Sequence, residues 1–350
     1  MLYKYLCNSN RDFIDHSVIS LTGIATFGIK IEELEIPVYG LSKPIYSFQG
    51  MRQLYGLAKK LKPDVVQSWL YHSDLVSLVL KCFLKFKLCW NIRSYKVYKY
   101  KRSTGILVRF LAFFSKVPDA VIINSIASKE YHHKIWYRPK KWEYVPNGFD
   151  LSIFKQRPEL DNDIRNELGI DSNSIIIGMV ARYTLEKDHE SFLRACSLIN
   201  QTVPSAQFVM VGEGVDKLNL KLTNIVTELD LDDRVHLLGV RLDIPAIVPY
   251  FDVACSTSID EAFPNVVGEA MAAAVPCVVT DVGDCALVVG STGSVVPVGS
   301  PTYISDACLE LLRLPVSLRQ DLGVQARKRI MKEFSIKKIS ARYDQIYLRL

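Results

Sequence analysis

Two glutamates stand eight positions apart in the run DEAFPNVVGEAMA, residues 260–272. Pro264 suits a first helical turn, where a missing N–H costs nothing, and Val275-Pro276 stops the helix. Glu261 then lies in the loop before the helix and Glu269 on its second turn. The amides of Asn265, Val266 and Val267 face the loop, and such a helix start attracts phosphate. By spacing alone, the same text also fits an ordinary amphipathic helix with two surface glutamates. A second stretch, VARYTLEKD at 180–188, places Arg182 and Lys187 just past an apolar run. Together they can hold a diphosphate, arginine through two parallel hydrogen bonds and lysine as a point charge. The alternative is a surface ion pair with Glu186 or Asp188, worth little. Gly212-Glu213-Gly214 follows another apolar run, where glycine lets a ligand approach the backbone; alone it is a weak turn signal. In the first half, QSWLYHSD at 67–74 offers His72, and a lone histidine is more often structural or a surface residue. Asn91-Ile92-Arg93-Ser94, after the next strand, is a further candidate to face a ligand.

These residues need a scaffold that gathers loops at one edge. In the second half, β-rich runs recur at 175–180, 207–211, 234–238, 252–256, 277–280 and 295–298. Helical patterning lies between several of them, at 189–200 and 216–229. Continuous apolar strands alternating with helices predict a parallel sheet covered on both faces. The doubly wound α/β fold follows, with ligands at the carboxyl ends of the strands. The first half repeats this less completely, with strands expected at 64–69, 88–92, 120–124 and 143–145. Residues 146–157, containing Asn-Gly, read as a linker. Helices are expected at 317–334 and 336–350.

A length of 350 residues allows two or three domains. A composition 49% apolar and 23% charged folds rather than staying disordered. The longest apolar run, 106–114, is interrupted by Arg109 and falls short of the roughly 18 residues of a membrane span. The start, MLYKYLCNSNRDF, shows no secretory signal core. Eight cysteines without a C-x-x-C pair argue against a zinc site and a disulfide framework. Asp161-Asn162-Asp163 sits in a polar stretch and is not read as a metal site. The charge is split. Residues 1–150 carry 23 Lys and Arg against 11 Asp and Glu, a net +12, whereas 151–350 carry 20 against 26, a net −6. A basic half usually faces phosphates, of lipid or nucleic acid. Its densest patch, KVYKYKR at 96–102, has Lys81, Lys85 and Lys87 upstream and the apolar 106–114 downstream, which suits a membrane interface as well as a solvated loop. No zinc-finger or RNP-type text supports nucleic acid.

Taken together, FPNVVGEAMA with Glu261 and Glu269, the Arg182/Lys187 pair and Asn147-Gly148-Phe149-Asp150 resemble the retaining glycosyltransferases of family 4. The likeness runs from about Ile14 to the end and is specific between Val145 and Val282. It implies the GT-B fold: two doubly wound Rossmann-like domains facing a cleft, here 1–150 and 151–334, with 335–350 a helix crossing back to the first. Arg182 and Lys187 would hold the donor's diphosphate, Glu269 the ribose hydroxyls, and Glu261 the transferred sugar. Gly212 and Glu213 would join this donor site. Phe263, Pro264, Asn265 and Val266 would line the sugar and phosphate, partly through backbone. Gly239, Val240 and Arg241 would lie beside the base. Arg182, Lys187, Glu261 and, on the acceptor side, His72 would carry catalysis.

The resemblance further implies transfer of a hexose or N-acetylhexosamine, with retention, from a nucleotide sugar of UDP type, without metal or cofactor. The acceptor would be a lipid-linked or polysaccharide glycan of the cell surface. The basic half adds an anionic membrane surface as partner and a cytoplasmic, peripheral location at its inner face. The chain departs from the family in three places. HSVISLT at 16–22 arrives early, so roughly 40–60 residues, about one or two βα units, look missing and the first domain incomplete. Trp69 stands where many members have histidine, and Ala274 where they often have glycine, a change expected to alter packing only. The rival readings are a non-catalytic nucleotide-sugar binder, a GT-B-like epimerase, and a nucleic-acid protein.

Overall fold

The computed structural model describes residues 1–95, 102–156 and 164–350. The patch at 96–101 and the Asp161–Asp163 triplet lie outside the described residues. Twelve strands form among the described residues: β1 Val18–Ser20, β2 Val38–Gly40, β3 Val65–Trp69, β4 Lys87–Ile92, β5 Ala120–Ile123, β6 Trp142–Tyr144, β7 Ile176–Val180, β8 Gln207–Val211, β9 Val235–Leu237, β10 Val253–Ser256, β11 Cys277–Thr280 and β12 Ser294–Val296. The chain divides into two compact units. Unit 1 comprises Met1–Gly148 and Ile336–Leu350, and unit 2 comprises Phe149–Ser335.

In unit 2 all six strands run parallel in the order β12-β11-β10-β7-β8-β9. Side chains alternate across this sheet. Ile176, Val209, Val211, Ala254, Cys277 and Val279 pack on one face, and Ile177, Phe208, Met210, Val253, Cys255 and Val278 on the other. This explains why the central strands β7, β8, β10 and β11 read as largely apolar runs: both their faces are covered. Helix His189–Thr202, one of the covering helices, starts on the Asp188 carboxylate, which accepts the Ser191 N–H at 3.2 Å.

Unit 1 carries a two-stranded parallel sheet, β1-β2, and a four-stranded parallel sheet, β3-β4-β5-β6. Neither β1 nor β2 was expected. Each is three residues long and only half-buried, so it lacks the apolar run that marks the other strands. On one face of the larger sheet Leu88, Trp90, Ile92, Val121 and Ile123 join the main core. On the other, Cys89, Ala120 and Ile122 meet Tyr5, Leu6, Ile339, Tyr343 and Ile346. Helix Ile336–Arg349 therefore supplies part of this core, and Asp344 anchors it by accepting the Tyr5 hydroxyl at 2.7 Å and the Asn10 N–H at 3.0 Å.

The segment read as a linker is packed rather than loose. Phe149 and Phe154 are buried in the core of unit 2, and Phe149 donates its N–H to Phe334 O at 2.9 Å. The Phe149 ring lies so close to helix Asn265–Ala272 that a Cβ added at Gly268 would overlap it. Two aromatics inside polar text were the signal that the Asn-Gly turn masked. Ala274 takes φ 62, a conformation strain-free only for glycine. Its departure from the family's glycine thus costs backbone strain, roughly 1–2 kcal/mol, rather than altered packing.

Candidate functional site

The order of the unit 2 sheet reverses between β7 and β10, so the crevice expected in an open parallel sheet opens at the carboxyl ends of those two strands. The loop after β7 carries Arg182 and, at the end of a single 3-10 turn Leu185–Lys187, Lys187. The loop after β10 carries Thr257, Ser258 and Glu261. Lys187 Nζ and Glu261 Oε1 form an ion pair across this point. Ser258 Oγ donates to the same carboxylate oxygen at 3.0 Å. The two loops are also tied through Thr257 Oγ1, which donates to Lys187 O at 2.9 Å, and through Ile259 N–H to Glu186 O at 2.8 Å. Arg182 is exposed and makes no ion pair among the described residues. One cation is thus fixed by a carboxylate and the other is free.

The loops after β8 and β9 join the same edge through backbone bonds. Tyr183 N–H reaches Glu213 O at 2.7 Å, Gly212 N–H reaches Gly239 O at 2.8 Å, and Gly239 N–H reaches Val215 O at 2.8 Å. A side chain at Gly212 would meet the Ala181 carbonyl and the Arg182 amide, so glycine there permits the close seating of the two loops. Val240 is largely exposed. The Arg241 guanidinium is engaged, with Glu167 Oε2 at 3.1 Å and Asp243 Oδ2 at 2.7 Å. Helix Asn265–Ala272 begins after Pro264, one position later than the proline signal implied, because Pro264 has φ −81 and ψ 90 and is extended. No side chain caps its first turn. The Phe263 ring turns into the core against Phe149 and Phe334, at 6.2 and 5.8 Å between centroids, so it offers a ligand only its backbone. Val266 is half-buried, Asn265 is exposed, and Glu269 is half-buried on the second turn.

Four residues that hold this edge went unmarked in the sequence. Ser258 and Thr257 lie 1% exposed, and Thr280 Oγ1 donates to Ser258 O at 2.5 Å. Hydroxyls at a strand end were the available signal. His189, beneath the β7 loop, contacts Ala181 O through Nε2 at 3.3 Å. Burial pushes its imidazole down from the ordinary 6.5 to about 4, so it is neutral near pH 7.

In unit 1, His72 is exposed on the first turn of helix Tyr71–Lys81, its ring 6.4 Å from that of Tyr46. Asn91 and Arg93, offered as ligand-facing, are used in packing: both donate to the Tyr343 hydroxyl at 3.2 Å, and Arg93 also reaches Asn147. Trp69 stacks on Tyr343 at 6.1 Å, with the Arg93 guanidinium 5.4 Å from its ring. Among the described residues, no group of three His, Cys, Asp or Glu could hold a metal ion.

A reversal of strand order with cations, glycines and a helix start on its loops defines a doubly wound α/β protein whose expected ligand crevice lies in unit 2. Known proteins narrow the class. The chain matches the family described as glycosyl transferases group 1 over residues 161–329 and Glycosyltransferase Family 4 over 13–153. It belongs to the family 4 glycosyltransferases and has the GT-B fold. A UDP-Gal:alpha-D-GlcNAc-diphosphoundecaprenol alpha-1,3-galactosyltransferase of Escherichia coli is 29% identical over 249 residues, covering 68% of this chain and 63% of that protein. An N-acetyl-alpha-D-glucosaminyl L-malate synthase of Bacillus anthracis is 28% identical, covering 70% and 62%. The chain thus matches less than two thirds of the length of these curated relatives. Among solved structures, HepE of Anabaena, in complex with UDP and glucose, superposes with a TM-score of 0.82 at 21% identity, covering 100% of this chain and 95% of that one.

Proposed function

We propose that this chain transfers a hexose or N-acetylhexosamine, with retention, from a UDP-sugar bound in unit 2 to a lipid-linked or polysaccharide glycan. The observation that carries this reading is the Lys187–Glu261 pair at the strand-order reversal, with Arg182 free beside it. Departure of the nucleoside diphosphate is the hard step, because the anomeric carbon gains oxocarbenium character as the bond breaks. Preorganised positive charge at the leaving group lowers that barrier. Arg182, Lys187 and the amides opening helix Asn265–Ala272 supply it, so the proposed reaction draws on these groups rather than on a divalent cation. An arriving diphosphate competes with Glu261 for Lys187, which frees the carboxylate to take a sugar hydroxyl. Glu269 takes the ribose hydroxyls. The acceptor attacks from the face the diphosphate leaves, with a donor phosphate oxygen as base.

The UDP preference is supported by the donor named for the E. coli relative and by the nucleotide in the HepE complex. The same relative's acceptor is a diphosphoundecaprenol-linked sugar. With the basic charge of 1–150, it supports a lipid-linked acceptor taken by unit 1, His72 on the acceptor side, at the inner face of the cytoplasmic membrane. Calorimetric titration with UDP, GDP and ADP, repeated on Arg182→Ala, tests the core of the reading. Selective UDP binding, weakened at least tenfold in the variant, is expected. No binding by any of the three overturns it. Binding without turnover of any UDP-sugar would leave a nucleotide-sugar binder, and an inverted anomer in the product would overturn retention.

A further inference from the structure

Helix Arg102–Phe114 has two apolar faces. Val108, Leu111 and Ala112 are buried in the core of unit 1. Ile106, Phe110 and Phe113 follow at i, i+4 and i+7, which puts them together on the opposite side. They are 63%, 48% and 82% exposed. A surface helix normally turns charged residues outward there. The Phe110 and Phe113 rings also pack on Phe114, at 4.9 and 5.1 Å between centroids, so the outward face is a preassembled aromatic cluster. Arg102, Arg109 and Lys116 are exposed along it and pair with no carboxylate among the described residues. Residues 75–118 contain ten Lys and Arg and no Asp or Glu.

From this juxtaposition we infer that the outer face of helix Arg102–Phe114 docks on an anionic lipid surface, Ile106, Phe110 and Phe113 entering the headgroup boundary and Arg102, Arg109 and Lys116 holding lipid phosphates. The inference deepens the membrane-side reading above by naming its contact surface. An apolar stripe rimmed by cations is what an interfacial helix needs. A second copy of the chain would bring the same unpaired cations against themselves across a two-fold axis. Duplex nucleic acid would satisfy the cations but keep its base faces stacked away from the phenyl rings.

Flotation of the full chain with phosphatidylcholine vesicles, with and without phosphatidylglycerol, tests the assignment. Recovery is expected with the anionic vesicles only. It should fall about fivefold for each of Arg102→Gln and Arg109→Gln and about tenfold or more for Phe113→Ser, with UDP affinity unchanged in all three. A gain-of-signal arm guards against misfolding. Phe113→Trp should shift its emission to the blue on anionic vesicles, whereas Tyr303→Trp, an exposed position in unit 2, should not. Equal recovery on both vesicles, or an unshifted Phe113→Trp, overturns the inference. So does a dimer in solution that Phe113→Ser dissolves without vesicle recovery. Vesicle recovery by a chain that binds no nucleotide upholds the docking surface and sinks the transferase reading instead.

Discussion

Unit 2 closes one continuous six-stranded sheet and commits its loops to a single edge, where backbone bonds lace the ends of β7, β8, β9 and β10 together. Unit 1 has the same number of strands but splits them into sheets of two and four. Its polar side chains go elsewhere. Asn91, Arg93 and Trp69, at the ends of β3 and β4, are used to seat helix Ile336–Arg349. At the strand ends of unit 2, by contrast, Arg182 stays exposed. The unit left without a gathered cluster is the one with basic charge and bare phenylalanines on its surface. The contrast teaches that equal secondary structure does not mean equal chemistry. What decides is whether the strand-end residues are spent on packing.

The strongest way to break the contrast is Gly283→Ala. Gly283 has φ +55, and a Cβ there would overlap the backbone carbonyls of Glu261 and Ala262. Strain and overpacking together predict a loss of about 3–5 kcal/mol. The cost should fall on unit 2, with UDP affinity lowered at least tenfold. Thermal unfolding and titration check both, and a variant that melts and binds like the parent would show that the Glu261 loop does not depend on its close seating against Gly283.

Acid should next treat the two units alike. Each holds one buried neutral histidine. Burial pushes His132 in unit 1, bonded through Nδ1 to Ser128 O at 2.7 Å, and His189 in unit 2 each down to about 4. A folded-state value below the unfolded 6.5 means stability that is full above pH 6.5 and is lost as pH falls from 6.5 through 4. Each histidine should account for a loss on the order of 3 kcal/mol over that window. Melting from pH 7 to pH 4 should show this, and His132→Phe should flatten the slope of one transition only. A slope that stays the same would show that His132 is not kept neutral. The smallest effect has the opposite sign. Ala274→Gly should relieve the strain at φ 62 and raise unit 2 stability by up to about 1 kcal/mol, because glycine's larger unfolded-state freedom takes back part of the gain.

The sequence carried β7, β8, β10 and β11 of unit 2 almost to their ends, because burial on both faces writes an apolar run that needs no partner to be recognised. It could not carry the pairing of Lys187 with Glu261, 74 positions apart, since only the strand order brings them together. Nor could it show that the Phe263 ring turns inward against Phe149 and Phe334, leaving only its backbone at the loop. The engagement of Arg241 by Glu167 and Asp243 was equally hidden, because exposed carboxylates write no pattern.

The core that Tyr5, Cys89 and Ile122 share with Ile339, Tyr343 and Ile346 also sets a schedule for the cell. As the chain leaves the ribosome, the residues of unit 1 up to Gly148 emerge first, yet their last apolar face stays uncovered until the whole of unit 2 has been translated. A nascent chain therefore carries a waiting sticky surface for most of its synthesis. Unit 2, contiguous in the message, can fold while the earlier-made unit 1 still waits for its final helix.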